Sequence, residues 1–469
     1  MRRAPGRGLP EAQSLHSAPP RAWFRASQHG GIPMAVRLPA RHPRGLYALC
    51  AVELCERFAA SLFGSLLLLY LSERLRLSLG SATRWGGSFN AMVYLSSVLG
   101  GVIADRWLGT RRAIVIGAGL MAGGYAALSL DRASLLYPSA GLLVLGQALF
   151  KPSISSAVGK LYEPTDRRRD DAFSIFYVVF NIGAACGPLA GGFLRTTWGW
   201  SAAFAVAGLS MLLALTAGLV CYRWLIGPVQ QHSEEDAAVG KQVLRSSWPV
   251  AAMAGILGAG LLFTAVYEQT GQSLLLWARD CTRRSLFGHS FPASSLLGLP
   301  GVLVLGMQPL LSRTVSLLAK RGLRPSLLAR IRLGLLFGVV AYAIMIGAAL
   351  LQRRGQEFIS PWWLVACFVA LTLGELLVYP LSMALVTRLA PKAATAAAMG
   401  LWMAALAGGQ WLAGEIAAHW AMWSHAAFFT VLAALALAAA VVIALATRSI
   451  RSALADHDRA QMLRRTPEA

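Results

Sequence analysis

About twelve apolar runs, each of about 20 residues, recur along this chain and constrain its fold more than any other feature. A run of this length can cross the hydrocarbon core of a bilayer, roughly 30 Å thick, as a single helix. The runs therefore predict an all-α membrane protein. We place them at 46–71, 85–105, 112–130, 136–159, 171–194, 200–226, 248–277, 293–317, 328–351, 361–387, 394–420 and 424–446.

The composition argues against an ordinary soluble protein. Hydrophobic residues make up 56% of the 469 residues and charged residues only 14%, a balance that many membrane spans produce easily. The formal net charge of +22 would also suit a nucleic-acid-binding protein. However, the basic residues form short clusters between the apolar runs, as in the cytoplasmic loops of membrane proteins. We therefore expect a lipid bilayer as partner and no nucleic acid.

The six cysteines indicate neither a disulfide framework nor a metal site. They lack the paired spacing of zinc ligands. Five of the six fall in apolar runs, where cysteine behaves as a small hydrophobic residue. We predict no metal and no cofactor.

The apolar runs divide into two groups of six around a polar stretch. We predict an N-terminal six-helix bundle over 44–226, a cytoplasmic linker over 227–247, a C-terminal bundle over 248–446 and a basic cytoplasmic tail over 447–469. Basic clusters lie on the side of the N-terminal segment, so the positive-inside rule predicts that both termini are cytoplasmic. This layout is similar to the major facilitator fold, with its substrate site between the halves. The predicted location is the cell (inner) membrane, as a multi-pass monomer.

Residues 1–43 differ in kind from the rest of the chain. They are rich in arginine, nearly free of acidic residues and lack the apolar core of a secretory signal. One interpretation is a disordered basic cytoplasmic tail. The other, which we favour, is that translation begins at Met34.

Three ionisable residues, Glu53, Glu56 and Arg57, lie inside the first apolar run. Each such group at membrane depth costs about 2.5–3.5 kcal/mol on insertion scales. Their i, i+3 and i+4 spacing places them on one face of a helix, where they can pair. That face must look at protein or water, so it is the first candidate functional site.

Lys151 and Glu375 are further charges within predicted spans four and ten. Lys160, near the end of span four, can reach the interface, whereas Lys151 lies at least two turns deeper. We predict that Lys151 and Glu375 pair across the two halves. A carboxylate that gains and loses a cationic partner changes its proton affinity, which gives a physical basis for proton coupling.

Two polar stretches add candidates. The loop after span two, residues 100–112, is rich in glycine and carries Asp105 and Arg106, and it resembles the major facilitator signature. Span seven carries a polar stretch, residues 267–273, that includes Glu268. Asn181 in span five could equally be a helix–helix hydrogen bond, and an aromatic residue in a span is more often packing than ligand contact.

Five motifs in order along the chain resemble the proton-dependent oligopeptide transporter (POT) family of the major facilitator superfamily. They lie within the span region between residues 43 and 423. The motifs are 53–58, 101–106, 150–156, 176–183 and 374–380.

The resemblance implies a peptide pocket and a proton-coupling network. Arg57 and Lys151 would hold the peptide carboxylate, and Glu375 would hold its ammonium group. The implied proton-coupling residues are Glu53, Glu56, Arg57, Lys151 and Glu375. The implied substrate-binding residues are Arg57, Tyr94, Lys151, Asn181, Glu268, Trp402 and Glu375.

The chain departs from the family pattern near the end of the first span and in the second half. Where the family has two tyrosines, a glycine and an arginine, this chain has Ala60, Ser61, Leu62 and Gly64. The family arginine usually pairs with the glutamate that Glu268 resembles, so Glu268 is expected to lack that partner. A pocket asparagine of the family is replaced near Pro300, Tyr379 stands where serine is usual, and the extra helix pair of bacterial members is absent.

We predict proton-coupled symport of di- and tripeptides by alternating access. The departures motivate an alternative cargo: a peptide-like metabolite, an amino-acid conjugate or a drug, with export as one form of that hypothesis. A third hypothesis is a non-transporting receptor with the same fold. An enzyme is the least favoured class, because no nucleophile–base pair, metal site or nucleotide loop is recognisable.

Overall fold

The structure is a computed structural model of the chain. It describes residues 42–163, 166, 168–225, 248–286, 289–323, 325–356, 358–391 and 394–463, with side chains as far as 456. Almost all of the predicted tail over 1–43, the Met34 start and the linker over 227–247 lie outside the described residues.

Twelve long helices follow one another in the described part of the chain, in the predicted order. They are α1 Arg44–Leu69, α2 Leu79–Ile103, α3 Thr110–Ser129, α4 Leu136–Lys160, α5 and α6 on either side of Gly199 within Arg168–Val220, α7 Val250–Tyr267 with a second segment Ser273–Asp280, α8 Leu299–Lys320, α9 Leu327–Arg353, α10 Trp362–Leu389, α11 Thr395–Ala417 and α12 His425–Leu463.

Ten helical stretches of the described chain are long and apolar enough to cross a membrane. One of them, Arg168–Val220, is two helices, because Gly199 breaks it with a φ of 84° and a ψ of −175°. Residues with a side chain rarely adopt such a φ, so glycine suits this corner. The helix Thr395–Ala417 lies outside the ten and completes the twelve.

The predicted boundaries differ from the structure at a few places. Helix α12 continues through Arg448 and Arg451 to Leu463, so most of the predicted tail over 447–469 is helical. Two short strands, β1 Ser285–Leu286 and β2 His289–Ser290, pair antiparallel between α7 and α8 and are an exception to the all-α prediction.

Helix α7 is interrupted in the middle of the protein. A 3₁₀ turn at Glu268–Gly271 is followed by Gln272, whose φ of −116° and ψ of −100° are not helical. Irregular backbone at membrane depth is tolerated where it is buried in protein or lines a cavity. The interruption coincides with the polar stretch of span seven, so this stretch is a candidate for the wall of a site.

The two halves pack tightly at one end of the bundle, which we call the closed end; α1 ends and α2 begins there. Gly87 of α2 lies so close to α11 that an added Cβ atom would be 2.8 Å from the Gly414 Cα atom. Gly301 of α8 lies equally close to the Ala185 backbone nitrogen of α5, at 2.8 Å from an added Cβ. In the described chain, no comparable packing joins α4 or α5 to α10. These two close backbone approaches between the halves both lie at the closed end.

Ion pairs join the halves at the closed end. Arg84 Nε of α2 lies 3.0 Å from Glu415 Oε2 of α11. Glu73, which follows α1, pairs with Arg195 of its own half and lies 3.6 Å from Arg279 Nη1 of α7. These pairs favour contact between the halves in this conformation.

Replacing Arg84 with alanine is expected to loosen the closed end. A solvent-exposed ion pair contributes about 0.2–1 kcal/mol, so the open population should rise by at most about fivefold. Distances between spin labels on α2 and α11, measured by double electron–electron resonance, would detect this change. Arg74→Ala is the matched control, because its ion pair with Asp131, at 2.8 Å, stays within one half. An equal shift in both variants would contradict a role for Arg84 in holding the halves together.

Candidate functional site

The charged residues of α1 form one cluster, as their spacing predicts. Arg57 Nε and Nη2 donate to Glu56 Oε2 and Oε1, each at 2.5 Å. The Nε atom also lies 3.6 Å from Glu53 Oε1. Glu53 is only 4% exposed and Glu56 only 1%. The cluster is therefore a buried ion-pair network within α1.

Neighbouring helices of the N-terminal half enclose this cluster. Gln147 of α4 donates its amide to Glu56 Oε1 at 2.6 Å. The Arg57 guanidinium lies 4.8 Å from the centre of the Phe180 ring of α5, a favourable cation–π arrangement. The charges thus face protein. Facing lipid would be unfavourable, because ionisable groups at membrane depth cost free energy.

Gly183 lets α5 approach α1 at this cluster. An added Cβ atom would lie 2.7 Å from Arg57 Cβ and 3.0 Å from the Leu54 carbonyl oxygen. Such distances leave no room for a side chain, because the backbone of α1 would have to move.

We expect Gly183→Val to destabilise the protein and to displace Arg57. Overpacking of this kind costs about 1–3 kcal/mol, which thermal unfolding in detergent would measure. Gly119→Val on α3 is the matched control, since no atom lies within 4 Å of an added Cβ there. Equal stability of the two variants would refute the close contact.

One oxygen of the cluster remains without a partner. Glu53 Oε2 is buried and accepts no hydrogen bond. Leaving a buried polar atom unsatisfied costs about 1–3 kcal/mol, and more for a charged group. Glu53 is therefore the carboxyl group of this cluster with the most to gain from a proton or a new donor.

Lys151 and Glu375 have different partners from the predicted one. The Lys151 ammonium lies 4.9 Å from the centre of the Tyr94 ring. Glu375 Oε2 accepts a hydrogen bond of 2.6 Å from the Tyr267 hydroxyl. Neither residue forms an ion pair within the described chain. The pair Lys151–Glu375 is thus absent from this conformation and stays a prediction for another one.

A cavity of about 280 Å³ lies between the two halves. Helices α1, α2 and α5 line it from one side, and α7, α8 and α10 line it from the other. Its polar and charged lining is Ser61, Ser65, Asn90, Asn181, Tyr267, Glu268, Thr270, Gln272 and Glu375. This is the central position that a substrate site between two halves requires.

The structure brings three of the predicted binding residues to the cavity wall: Asn181, Glu268 and Glu375. Asn181 also donates its amide to the Tyr177 carbonyl oxygen at 2.9 Å, one turn earlier in α5. Tyr94, beneath Lys151, also packs against the core of the C-terminal half.

Like Arg57, Tyr94 and Lys151, Trp402 does not line this cavity, so its predicted binding role stays a prediction. Its side chain is 2% exposed and lies in the apolar core of the C-terminal half. An added Cβ atom on Gly260 of α7 would lie 2.5 Å from the indole ring. Trp402 therefore packs α11 against α7, as aromatic residues in spans usually do.

The positions that depart from the family pattern have different environments. Ser61, Gly64 and Pro300 line the cavity, whereas Leu62 is buried in the apolar core. Gly64 is exposed, and no atom lies within 4 Å of an added Cβ. Tyr379 lies 3.1 Å from Thr264 Oγ1 through its hydroxyl. The cavity therefore has free space where the family pattern would place a large side chain.

Sequence reasoning missed two polar neighbours of the charges, Gln147 and Gln410, and named two others, Tyr267 and Gln272, only as part of the polar stretch 267–273. Gln147 contacts Glu56, Tyr267 contacts Glu375, and Gln272 lines the cavity beside the break in α7. Gln410, 3% exposed, lies beside both Tyr94 and Glu268. The available signal was an amide side chain inside an apolar run. Such an amide indicates a candidate site residue, as a charge in the same position does.

Other predicted features lie away from the cavity. Asp105 and Arg106 are exposed in a π-helical turn, Ala104–Leu108, at the end of α2. Gly109, with a φ of 75°, makes the turn into α3. In the described chain no group of three or more His, Cys, Asp or Glu side chains is placed to hold a metal ion.

Comparison with known proteins decides the family. A family model described as Major Facilitator Superfamily matches residues 49–331, and one described as POT family matches residues 241–431. The chain belongs to the POT family of the major facilitator superfamily. The predicted fold and the predicted family are confirmed, and this POT-family chain is a multi-pass membrane transporter.

Curated relatives match the POT-family chain over most of its length. The peptide transporter YePEPT of Yersinia enterocolitica subsp. palearctica is 29% identical over 452 residues, which cover 81% of this chain and 88% of the relative. The dipeptide and tripeptide permease A of Proteus mirabilis is 26% identical, over 80% of this chain and 86% of the relative.

Solved structures give the same result for the fold. A peptide transporter POT in complex with sulfate has a TM-score of 0.79 and 26% identity, and the match covers 91% of this chain and 99% of that one. A POT family transporter in complex with 5-aminolevulinic acid has a TM-score of 0.78 and 25% identity, with 87% and 97% covered.

Proposed function

We propose that this POT-family chain imports di- and tripeptides together with protons by alternating access. The observation that carries the proposal is a cavity between the halves whose wall includes Glu268 and Glu375, with Arg57 and Lys151 in the neighbouring helices of the N-terminal half. Relatives named as peptide transporters and as dipeptide and tripeptide permeases support a peptide cargo.

The charges divide in a way that suits a zwitterion. The cations Arg57 and Lys151 belong to α1 and α4, and the carboxylates of Glu268 and Glu375 belong to α7 and α10. We infer that the peptide carboxylate binds the cations and its ammonium group binds Glu375, where it competes with the Tyr267 hydroxyl. Binding would thereby draw the two halves together across the cavity.

Proton coupling follows from the buried network of α1. Arg57 is held by Glu56 and Glu53 in this conformation, so it is not free to bind a peptide carboxylate strongly. A proton on Glu53, whose Oε2 has no partner, would remove one of these attractions. The guanidinium would then be available to the substrate, so proton binding and peptide binding would favour each other.

The proposed orientation places both termini in the cytoplasm and the closed end outside. It is supported by the basic clusters at the loops on the side of the N-terminus. In this arrangement the described conformation is closed to the outside of the cell (inner) membrane. We propose that the transporter works as a monomer, since the cavity is built by helices of one chain.

Uptake into proteoliposomes tests the proposal. Labelled dialanine should accumulate when the external solution is acidic relative to the lumen, and should not accumulate without the gradient. Counterflow with unlabelled peptide separates binding from coupling. An absence of both gradient-driven uptake and counterflow for any peptide would refute transport of peptides and favour a receptor.

A second candidate function keeps the mechanism and changes the cargo to a peptide-like metabolite, an amino-acid conjugate or a drug, with export as one possible direction. The free space at Gly64 favours it, and structurally similar transporters have been solved with alafosfalin and with 5-aminolevulinic acid. Thermal-shift screening of peptides against such compounds would distinguish the two. Stabilisation by common dipeptides would count against the second candidate.

A further inference from the structure

Two carboxylates line the cavity between the halves. Glu268 and Glu375 both line it, and within the described chain neither forms an ion pair with a lysine or arginine. Glu375 accepts from the Tyr267 hydroxyl, whereas the neighbour of Glu268 is the neutral side chain of Gln410.

Gln272 provides an independent observation. Its side chain is 6% exposed and lines the same cavity. Its Oε1 atom is buried and has no hydrogen-bond partner. A buried amide oxygen without a donor is destabilising, because it has lost the hydrogen bonds that it would make with water. A ligand that carries N–H donors would satisfy it.

Gly64 supplies the space that such a ligand needs. It lines the cavity together with Glu268 and Gln272, and an added Cβ atom would meet nothing within 4 Å. A larger residue at this position would occupy the volume between α1 and the break in α7. With glycine there, that volume is open to the substrate.

We propose that Gly64, Glu268 and Gln272 form a subsite for a cationic side chain of the substrate. The ammonium of lysine or the guanidinium of arginine would pair with the Glu268 carboxylate and donate to Gln272 Oε1. The transporter would therefore prefer peptides with a basic residue to equally long neutral ones. This inference rests on the proposed function, because it assigns a side-chain preference to a peptide already held at its two ends.

The sharpest test compares two cargoes of the same size. Alanyl-lysine and alanyl-norleucine differ only by the terminal ammonium group, and dialanine reports transport without a long side chain. We expect wild-type uptake at low peptide concentration to favour alanyl-lysine about tenfold, since a hydrogen bond to a charged group is worth about 1.5–3 kcal/mol. Equal uptake of the two would overturn the subsite.

Three variants locate the preference. Gly64→Arg should bring the ratio of alanyl-lysine to alanyl-norleucine uptake down to about one or below, because its guanidinium would pair with Glu268. Gly141→Arg on α4 is the matched control, because no atom lies within 4 Å of an added Cβ there and the residue does not line the cavity, so this variant should keep the wild-type ratio. If Gly64→Arg does not fold, Gln272→Leu decides, since it removes the acceptor oxygen and should lower the ratio. A ratio unchanged in Gln272→Leu and Gly64→Arg would contradict the assignment.

The dialanine measurement separates the two hypotheses. If dialanine is taken up but the lysine preference is absent, the subsite fails and the peptide transporter stands. If no peptide is taken up at all, both the proposed function and the subsite are refuted.

Discussion

Replacing Lys151 with alanine is expected to abolish uptake of labelled dipeptide driven by a proton gradient. Lys151 lies over the Tyr94 ring without an ion-pair partner in the described chain, so its charge is available to a peptide carboxylate. It also acts electrostatically on Glu53, Glu56 and Glu268. Its loss removes both a binding charge and the influence of that charge on the coupling carboxylates. Initial uptake rates in proteoliposomes, with and without the gradient, measure the effect.

Lys160→Ala is the control for this variant. It removes the same type of side chain from the same helix, but Lys160 lies at the end of α4 and donates to Thr110 Oγ1 at 2.8 Å. Uptake by Lys160→Ala should remain close to that of the wild type. Gradient-driven uptake at the wild-type rate by Lys151→Ala would show that the lysine has no part in coupling.

The variant Arg57→Met should lose both transport and stability. Methionine keeps much of the length of the arginine side chain but leaves Glu53 and Glu56 buried without their cation. Removing one partner of a buried ion pair costs about 3–5 kcal/mol. Thermal unfolding in detergent measures this loss, and dialanine uptake measures the loss of transport.

The triple variant Glu53→Gln, Glu56→Gln, Arg57→Met separates the two effects. It removes all three charges together, and a neutral replacement of a buried ionic network is often nearly neutral in stability. We therefore expect its melting temperature to recover toward the wild-type value while gradient-driven uptake stays absent. A triple variant that transports with a proton gradient would contradict the assigned role of the cluster.

The sequence predicted the twelve helices because span length and hydropathy are local properties. It also predicted the pairing of Glu53, Glu56 and Arg57, since residues at i, i+3 and i+4 share a helix face whatever surrounds them. The helical extension of α12 to Leu463 was not foreseen, because its polar residues carry no membrane signal.

The partners of the charges could not be predicted in the same way. Contacts such as Gln147 with Glu56, Tyr267 with Glu375 and Trp402 with Gly260 join helices that are distant in sequence, so they depend on how the helices pack. The pair Lys151–Glu375 depends in addition on conformation, since the two halves of a transporter change their separation. A single sequence specifies both residues but not the state in which they meet.

The open space at Gly64 also bears on how readily mutation could change the substrate preference of this transporter. Every glycine codon becomes an arginine codon by a change of its first base, and no atom stands within 4 Å of the position where the new side chain would begin. Acquiring arginine there would thus need a single mutation and little structural accommodation. The proposed subsite would then be lost while the helices stay in place.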